Sequence, residues 1–231
     1  MMLGELGRLL ADVPSGAPRE AYATAIIEEN VLDKATEASR RLTRQRLSEL
    51  YGLDPGLPIF RALRRVWERD EPGRPLIALL GALARDPLLR ATAQTVLALP
   101  EGSELPRSSL LDALRRAVGE RLNESTLDKV ARNTSSTWSQ SGHLEGRVRK
   151  LRRRVTPTPG SLGLALWLGS LEGLAGAQLL DTSWTRVLDR GPRELEPLAL
   201  RAKQLGLISA SIGGGTTEID VSGLDAASGE A

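Results

Sequence analysis

Residues 123–154 constrain this chain more than any other stretch. A polar helix start leads into an amphipathic segment and a glycine-marked turn, after which Arg147, Arg149, Lys150, Arg152, Arg153 and Arg154 fall within eight residues. Ser125 is the expected N-cap, and Asp128 three positions on completes a short-acid capping box. At 100° per residue, Leu127, Val130, Ala131, Thr134 and Trp138 share one stripe that needs a body to pack on. The opposite stripe holds Lys129, Arg132, Asn133, Ser136 and Gln140. That mixture suits a DNA groove: two cations for phosphate or guanine, two amides for adenine, and a small hydroxyl that permits close approach. A solvated helix face carries similar residues, so the stripe decides nothing by itself.

Its position adds weight. Residues 108–118 form a second helical candidate, with Leu110, Leu111, Leu114 and Val118 in phase, and a polar turn joins the two into a helix-turn-helix pattern. Gly142, Gly146 and the basic run then stand where a winged helix places its wing. Between Arg121 and Arg154 there are nine Lys and Arg against three acids, a net of +6, while the whole chain is only +2. A near-neutral protein with one concentrated basic stretch reads as having a polyanion site, with a solvated basic strand or an RNA site as the alternatives.

Composition narrows the classes. With 231 residues, 41% apolar and 26% charged, the chain is globular and long enough to bury a sizeable core. The absence of cysteine excludes disulfides, thiol nucleophiles and Cys-based zinc sites. His143 is the only histidine, so a catalytic dyad and a histidine metal pair both lack partners; a helix-end or phosphate contact is the expectation for it. No glycine-rich phosphate loop, Gly-x-Ser-x-Gly elbow or spaced acidic motif occurs, and Glu28 and Glu29 diverge on a helix. The expectation is a non-enzymatic protein with no metal, no cofactor and no small-molecule substrate.

The chain also lacks the basic start and apolar core of a signal peptide. In residues 160–180 the uncharged run lasts twelve residues before Glu172 and the segment contains five glycines, short of the ~20 apolar residues a span requires. A buried helix, no membrane contact and a cytoplasmic location are expected.

In chain order, residues 1–100 read as an N-terminal helical domain of short amphipathic segments separated by Gly and Pro. Within it, residues 31–50 form one helix whose apolar side is Val31, Ala35, Ala38, Leu42 and Leu50. Arg40, Arg41 and Arg44 on the other side are a possible secondary DNA contact. Residues 86–99 read as a single helix. Residues 101–156 are the helix-turn-helix with its basic wing. Residues 157–222 form a C-terminal helical and winged-helix region: an apolar helix at 162–180 that docks the parts together, an amphipathic helix at 193–205, and a β-hairpin turning at Gly213-Gly214-Gly215. Glu218 and Asp220 make that hairpin a structural or protein-contacting element. Residues 223–231 read as a disordered tail. The fold class is mainly α, a helical bundle with winged helix-turn-helix elements and a small C-terminal β-hairpin.

Several short motifs resemble the small BrxA-type proteins of bacterial BREX phage-exclusion systems. They are Glu29-Asn30-Val31-Leu32-Asp33-Lys34 before a helix reaching Arg46-Leu47, then Arg85-Asp86-Pro87-Leu88-Leu89, and Ser125-Thr126 followed by Ser141-Gly142-His143-Leu144. The resemblance spans most of the chain. It implies a compact, helical, winged-helix-containing cytoplasmic protein that binds double-stranded DNA within a multi-subunit antiviral defence system, with residues 147–154 carrying the DNA contact. A protein-interaction adaptor and an autonomous transcriptional regulator are the competing expectations, since winged helices serve all three purposes.

Overall fold

The computed structural model describes residues 1–226, and these contain twelve α-helices and two small antiparallel hairpins. In order, the first helices are α1 (Leu3–Asp12), α2 (Arg19–Ile27), α3 (Glu37–Tyr51), α4 (Pro58–Arg69), α5 (Arg74–Arg85), α6 (Pro87–Ala91) and α7 (Ala93–Leu97). They continue with α8 (Arg107–Val118), α9 (Glu124–Gln140), α10 (Pro159–Ser170), α11 (Ser183–Arg186) and α12 (Pro192–Gln204). The hairpins are β1 (Leu144–Glu145) with β2 (Leu151–Arg152), and β3 (Ser209–Gly213) with β4 (Thr216–Asp220).

α10 is the hub. Every residue from Gly160 to Gly169 is buried, so this helix has no polar face, and it packs on α4, α5, α11 and α12. Thr158 and Ser161 close its first turn as a reciprocal capping box. The buried Asp70 accepts a 2.6 Å bond from the Gly160 amide and a 3.2 Å bond from the Gly73 amide, which ties the starts of α10 and α5 together. Gly160 is required there, because a Cβ would lie 2.6 Å from the Asp70 side chain. Buried residues from α1 through the 3-10 turn Ser222–Leu224 form one continuous core, so the three divisions expected from sequence share a single interior. Among the described residues no helix is long and apolar enough to cross a membrane.

Four expectations need correction. The helix expected over 31–50 begins only at Glu37. Asn30 and Asp33 adopt left-handed backbone angles (φ 54° and 52°), and the Asn30 amide bonds both the N–H (2.8 Å) and the C=O (3.2 Å) of Lys34, fixing a turn before the Thr36 cap. The buried side of α3 is Thr43, Leu47 and Tyr51, while Ala35, Ala38 and Leu42 are exposed. The helix expected over 86–99 divides at Thr92, whose hydroxyl donates to the Leu89 carbonyl (2.7 Å) and accepts the Trp138 indole N–H (2.8 Å). α9 is capped by Asn123, not Ser125: the Asn123 Oδ1 accepts the Thr126 amide at 2.9 Å. In the tail, Leu224 is fully buried; the rest of the expected disorder, at 227–231, lies outside the described residues.

Candidate nucleic-acid interface

The candidate surface is built by residues 102–155. α8 and α9 pack together, joined by a 3-10 turn at Gly119–Arg121. Beyond α9, β2 is the middle strand of a small three-segment sheet. It pairs with β1 on one side, and on the other Glu104 bridges Leu151, with Leu105 N–H to Lys150 O and Arg152 N–H to Ser103 O, both 2.8 Å. The loop 146–150 projects from this sheet. Gly146 makes its turn possible, with φ +100° and the space of a Cβ lying only 2.1 Å from the Arg149 carbonyl oxygen.

α9 divides as its periodicity predicts. Leu127, Ala131, Thr134 and Trp138 are buried and Val130 half-buried, while Lys129, Arg132, Asn133, Ser136 and Gln140 are exposed. Gln140 is not free, because its Oε1 accepts the Leu3 amide (3.1 Å) and its Nε2 donates to Ser136 Oγ (3.2 Å). Lys129 and Arg132 form no ion pair among the described residues.

Two concavities flank α9, and their charge differs. A trough of about 670 Å³ between α9, the start of α8 and the 146–150 loop is lined by Arg107, Arg132, Arg147 and Lys150, with serines 135, 136 and 139 along its floor and Glu104 as its one acid. Glu104 is already engaged by Arg149 at 2.8 Å. The groove on the opposite flank, about 740 Å³, sets Arg46, Arg85 and Lys129 against Glu5, Glu49 and Asp86, and its walls include Leu42, Leu50, Leu88 and Val130. A polyanion therefore finds net positive charge on the loop side and a balanced, partly apolar wall on the other.

The basic run does not act as one block. Arg147 and Arg149 are exposed, with Arg147 unpaired among the described residues; Lys150 is half-buried and donates to Ser139 Oγ at 3.0 Å. Arg153 is exposed and held by Glu145 at 2.5 Å. Arg154 is exposed but faces a different concavity, shared with Arg186 and Arg190. Arg152 overturns the expectation of a phosphate contact: it is 2% exposed and ion-paired to Asp189, with a second bond to the Arg153 carbonyl. Alternation along the chain puts Arg152 and Arg154 at the same concavity and Arg153 away from it, and of the two only Arg152 is ion-paired to Asp189.

His143 also departs from expectation. It is fully buried and so cannot touch a phosphate. Its Nε2–H donates to the Val187 carbonyl (2.8 Å), which leaves Nδ1 to accept from Ser141 Oγ (2.8 Å), and its ring meets Trp138 edge-on. Burial pushes its pKa down to about 4, so the imidazole is neutral.

The secondary arginines are divided as well. Arg40 donates to the Ile27 carbonyl at 2.8 Å and so caps the end of α2, which removes it from the DNA contacts. Arg41 pairs with Glu37 at 2.6 Å, and Arg44 lines a shallow concavity with Arg41 and Glu28. This patch lies on α3, away from the loop-side trough. Sequence reasoning missed Arg107, Ser135 and Ser139; the two serines follow Arg132 at helical spacing and were legible in principle.

No protein-family model, curated protein or solved structure matches this chain.

Proposed function

We propose that residues 102–155 form a winged helix that binds double-stranded DNA, with α9 directed at the major groove and the 146–150 loop lying along the backbone. The observation that carries this reading is the loop-side trough, where Arg132, Arg147 and Lys150, none of them ion-paired among the described residues, line a polar helix face and Glu104 is already paired. The contacts are Lys129, Arg132, Asn133 and Ser136 on α9, with Arg147, Arg149, Lys150, Arg153 and Arg154 around the hairpin. Arg107, which lines the trough and pairs with Asp128 at 2.8 Å, joins them. Arg152 does not. The sequence resemblance to BrxA-type proteins supports the setting, a DNA-binding subunit of a bacterial antiviral defence system. The role is one of binding and positioning.

Fluorescence anisotropy with a random duplex, titrated at two salt concentrations, tests the reading. Each phosphate neutralised adds about −0.9 to the slope of log K against log salt, so replacing Lys129, Arg132 and Arg147 with Ala should flatten that slope by about 2–3. An unchanged slope would remove both the polar face of α9 and the trough from the interface. No binding at low salt would sink the DNA reading and turn attention to protein docking in the groove on the other flank of α9.

A further inference from the structure

On α4, well apart from α9, Arg61, Arg65 and Arg69 follow one another at four-residue spacing and so share a face. They line a concavity of about 400 Å³ together with Arg64, Tyr22 and Ser15. Its one acid among the described residues, Glu68, is bound by Arg64 at 2.9 Å, and Arg64 spends its remaining donors on the Leu10 and Val13 carbonyls. Arg61 donates to the Asp225 and Pro55 carbonyls and Arg69 to the Gly206 carbonyl. Those partners are neutral, so neither guanidinium is paired with a carboxylate among the described residues. Arg65 is half-buried and has neither an ion pair nor a hydrogen bond among the described residues.

The second observation is Tyr22. It is only 2% exposed, its ring is fixed edge-on against Phe60 at 5.2 Å, and its hydroxyl has no hydrogen-bond partner among the described residues. Tyr22 and Arg65 line the same basic pocket, and neither the hydroxyl nor the guanidinium has a protein acceptor among the described residues, so both can donate to a bound ligand. Burial raises the pKa of the phenol, so the hydroxyl stays a proton donor at neutral pH.

We infer that this pocket binds the phosphate group of a small phosphorylated molecule, with Arg65 and the Tyr22 hydroxyl as its direct partners and Arg61 and Arg69 supplying positive field. The volume lies within the range of small-ligand sites, and a tyrosine set this deep is out of reach of a duplex backbone. The site is independent of the DNA reading and separate from the α9 surface.

Isothermal titration calorimetry of the full chain with inorganic phosphate and with adenosine 5′-monophosphate tests it. Saturable one-to-one binding is expected with at least one probe. Tyr22→Phe and Arg65→Gln should each weaken it about tenfold, the loss that follows removal of a charge-assisted hydrogen bond. Tyr22→Phe nearly keeps the packing volume, Arg65→Gln shortens a half-buried side chain and removes its charge, and melting curves check that each variant folds. The Lys129, Arg132, Arg147 triple alanine variant should bind the probes as the parent does. Absence of binding by either probe, or unaltered binding in both folded variants, would overturn the proposal. So would a loss of duplex affinity in Arg65→Gln equal to its loss of phosphate affinity, which would assign the stripe to a nucleic-acid surface.

Discussion

Two residues show how far chemical type and role can separate. Arg152 belongs to the basic run, yet its guanidinium is interior and bound to Asp189, whose other oxygen accepts the Val155 amide at 3.0 Å. Removing one partner of a buried pair strands the other charge, so Arg152→Ala should cost about 3–5 kcal/mol in denaturant unfolding. The same variant, where folded, should leave the salt slope of DNA binding unchanged; a slope reduced as much as by Arg147→Ala would return Arg152 to the interface. His143 makes a pH prediction. Its pKa falls from 6.5 in the unfolded chain to about 4 in the folded one, so the neutral ring's contribution is complete above pH 6.5 and is lost as pH falls from there toward 4. That gap corresponds to about 3 kcal/mol. His143→Gln should lower stability at pH 7 and also flatten the pH dependence across this window, as read by urea denaturation at successive pH values. An identical pH profile in the variant would show that other groups carry the acid sensitivity.

At the scale of elements, local signals succeeded where a helix has one strong period and failed where a side chain intervenes. α9 and α12 appear close to where their apolar spacing puts them, and the β3–β4 hairpin turns at Gly214 and Gly215, both with positive φ. α3 starts six residues later than periodicity indicates, because the Asn30 amide offers the backbone of Lys34 better bonds than a helix would. Its true buried residues include Thr43 and Tyr51, which an aliphatic stripe does not contain. The 146–150 loop supplies the prediction at this scale. Gly146→Ala places a methyl group against the Arg149 carbonyl at a φ that L-residues avoid, a strain of about 1–3 kcal/mol. The loop is exposed and opens instead of stressing the core, so the melting temperature should change little while duplex affinity falls. Full affinity in Gly146→Ala would separate the loop from DNA.

In the whole molecule, one interior runs through the three expected divisions: α10, apolar on every face, is enclosed by α4, α5, α11 and α12, and α8 and α9 join it through α5 and α6. The uncharged run that marks it is plain in the sequence; that α4, α5, α11 and α12 surround it is not. About half of the candidate site was legible in the same way. The outward stripe of α9 was, since a 3.6-residue period assigns faces without knowledge of neighbours. The Arg65 and Tyr22 pocket was not, because residues 22 and 65 come to line one concavity only when Tyr22 of α2 packs against Phe60 of α4. The sequence by itself determined the helical segments, the polar face of α9 and the concentration of positive charge, all properties set by residues within a few positions of one another. Only the tertiary structure decided which cations are free. Whether a guanidinium meets solvent or a carboxylate 37 residues away depends on how strands and helices pack, and for Arg152 that packing turned an apparent phosphate contact into part of the interior.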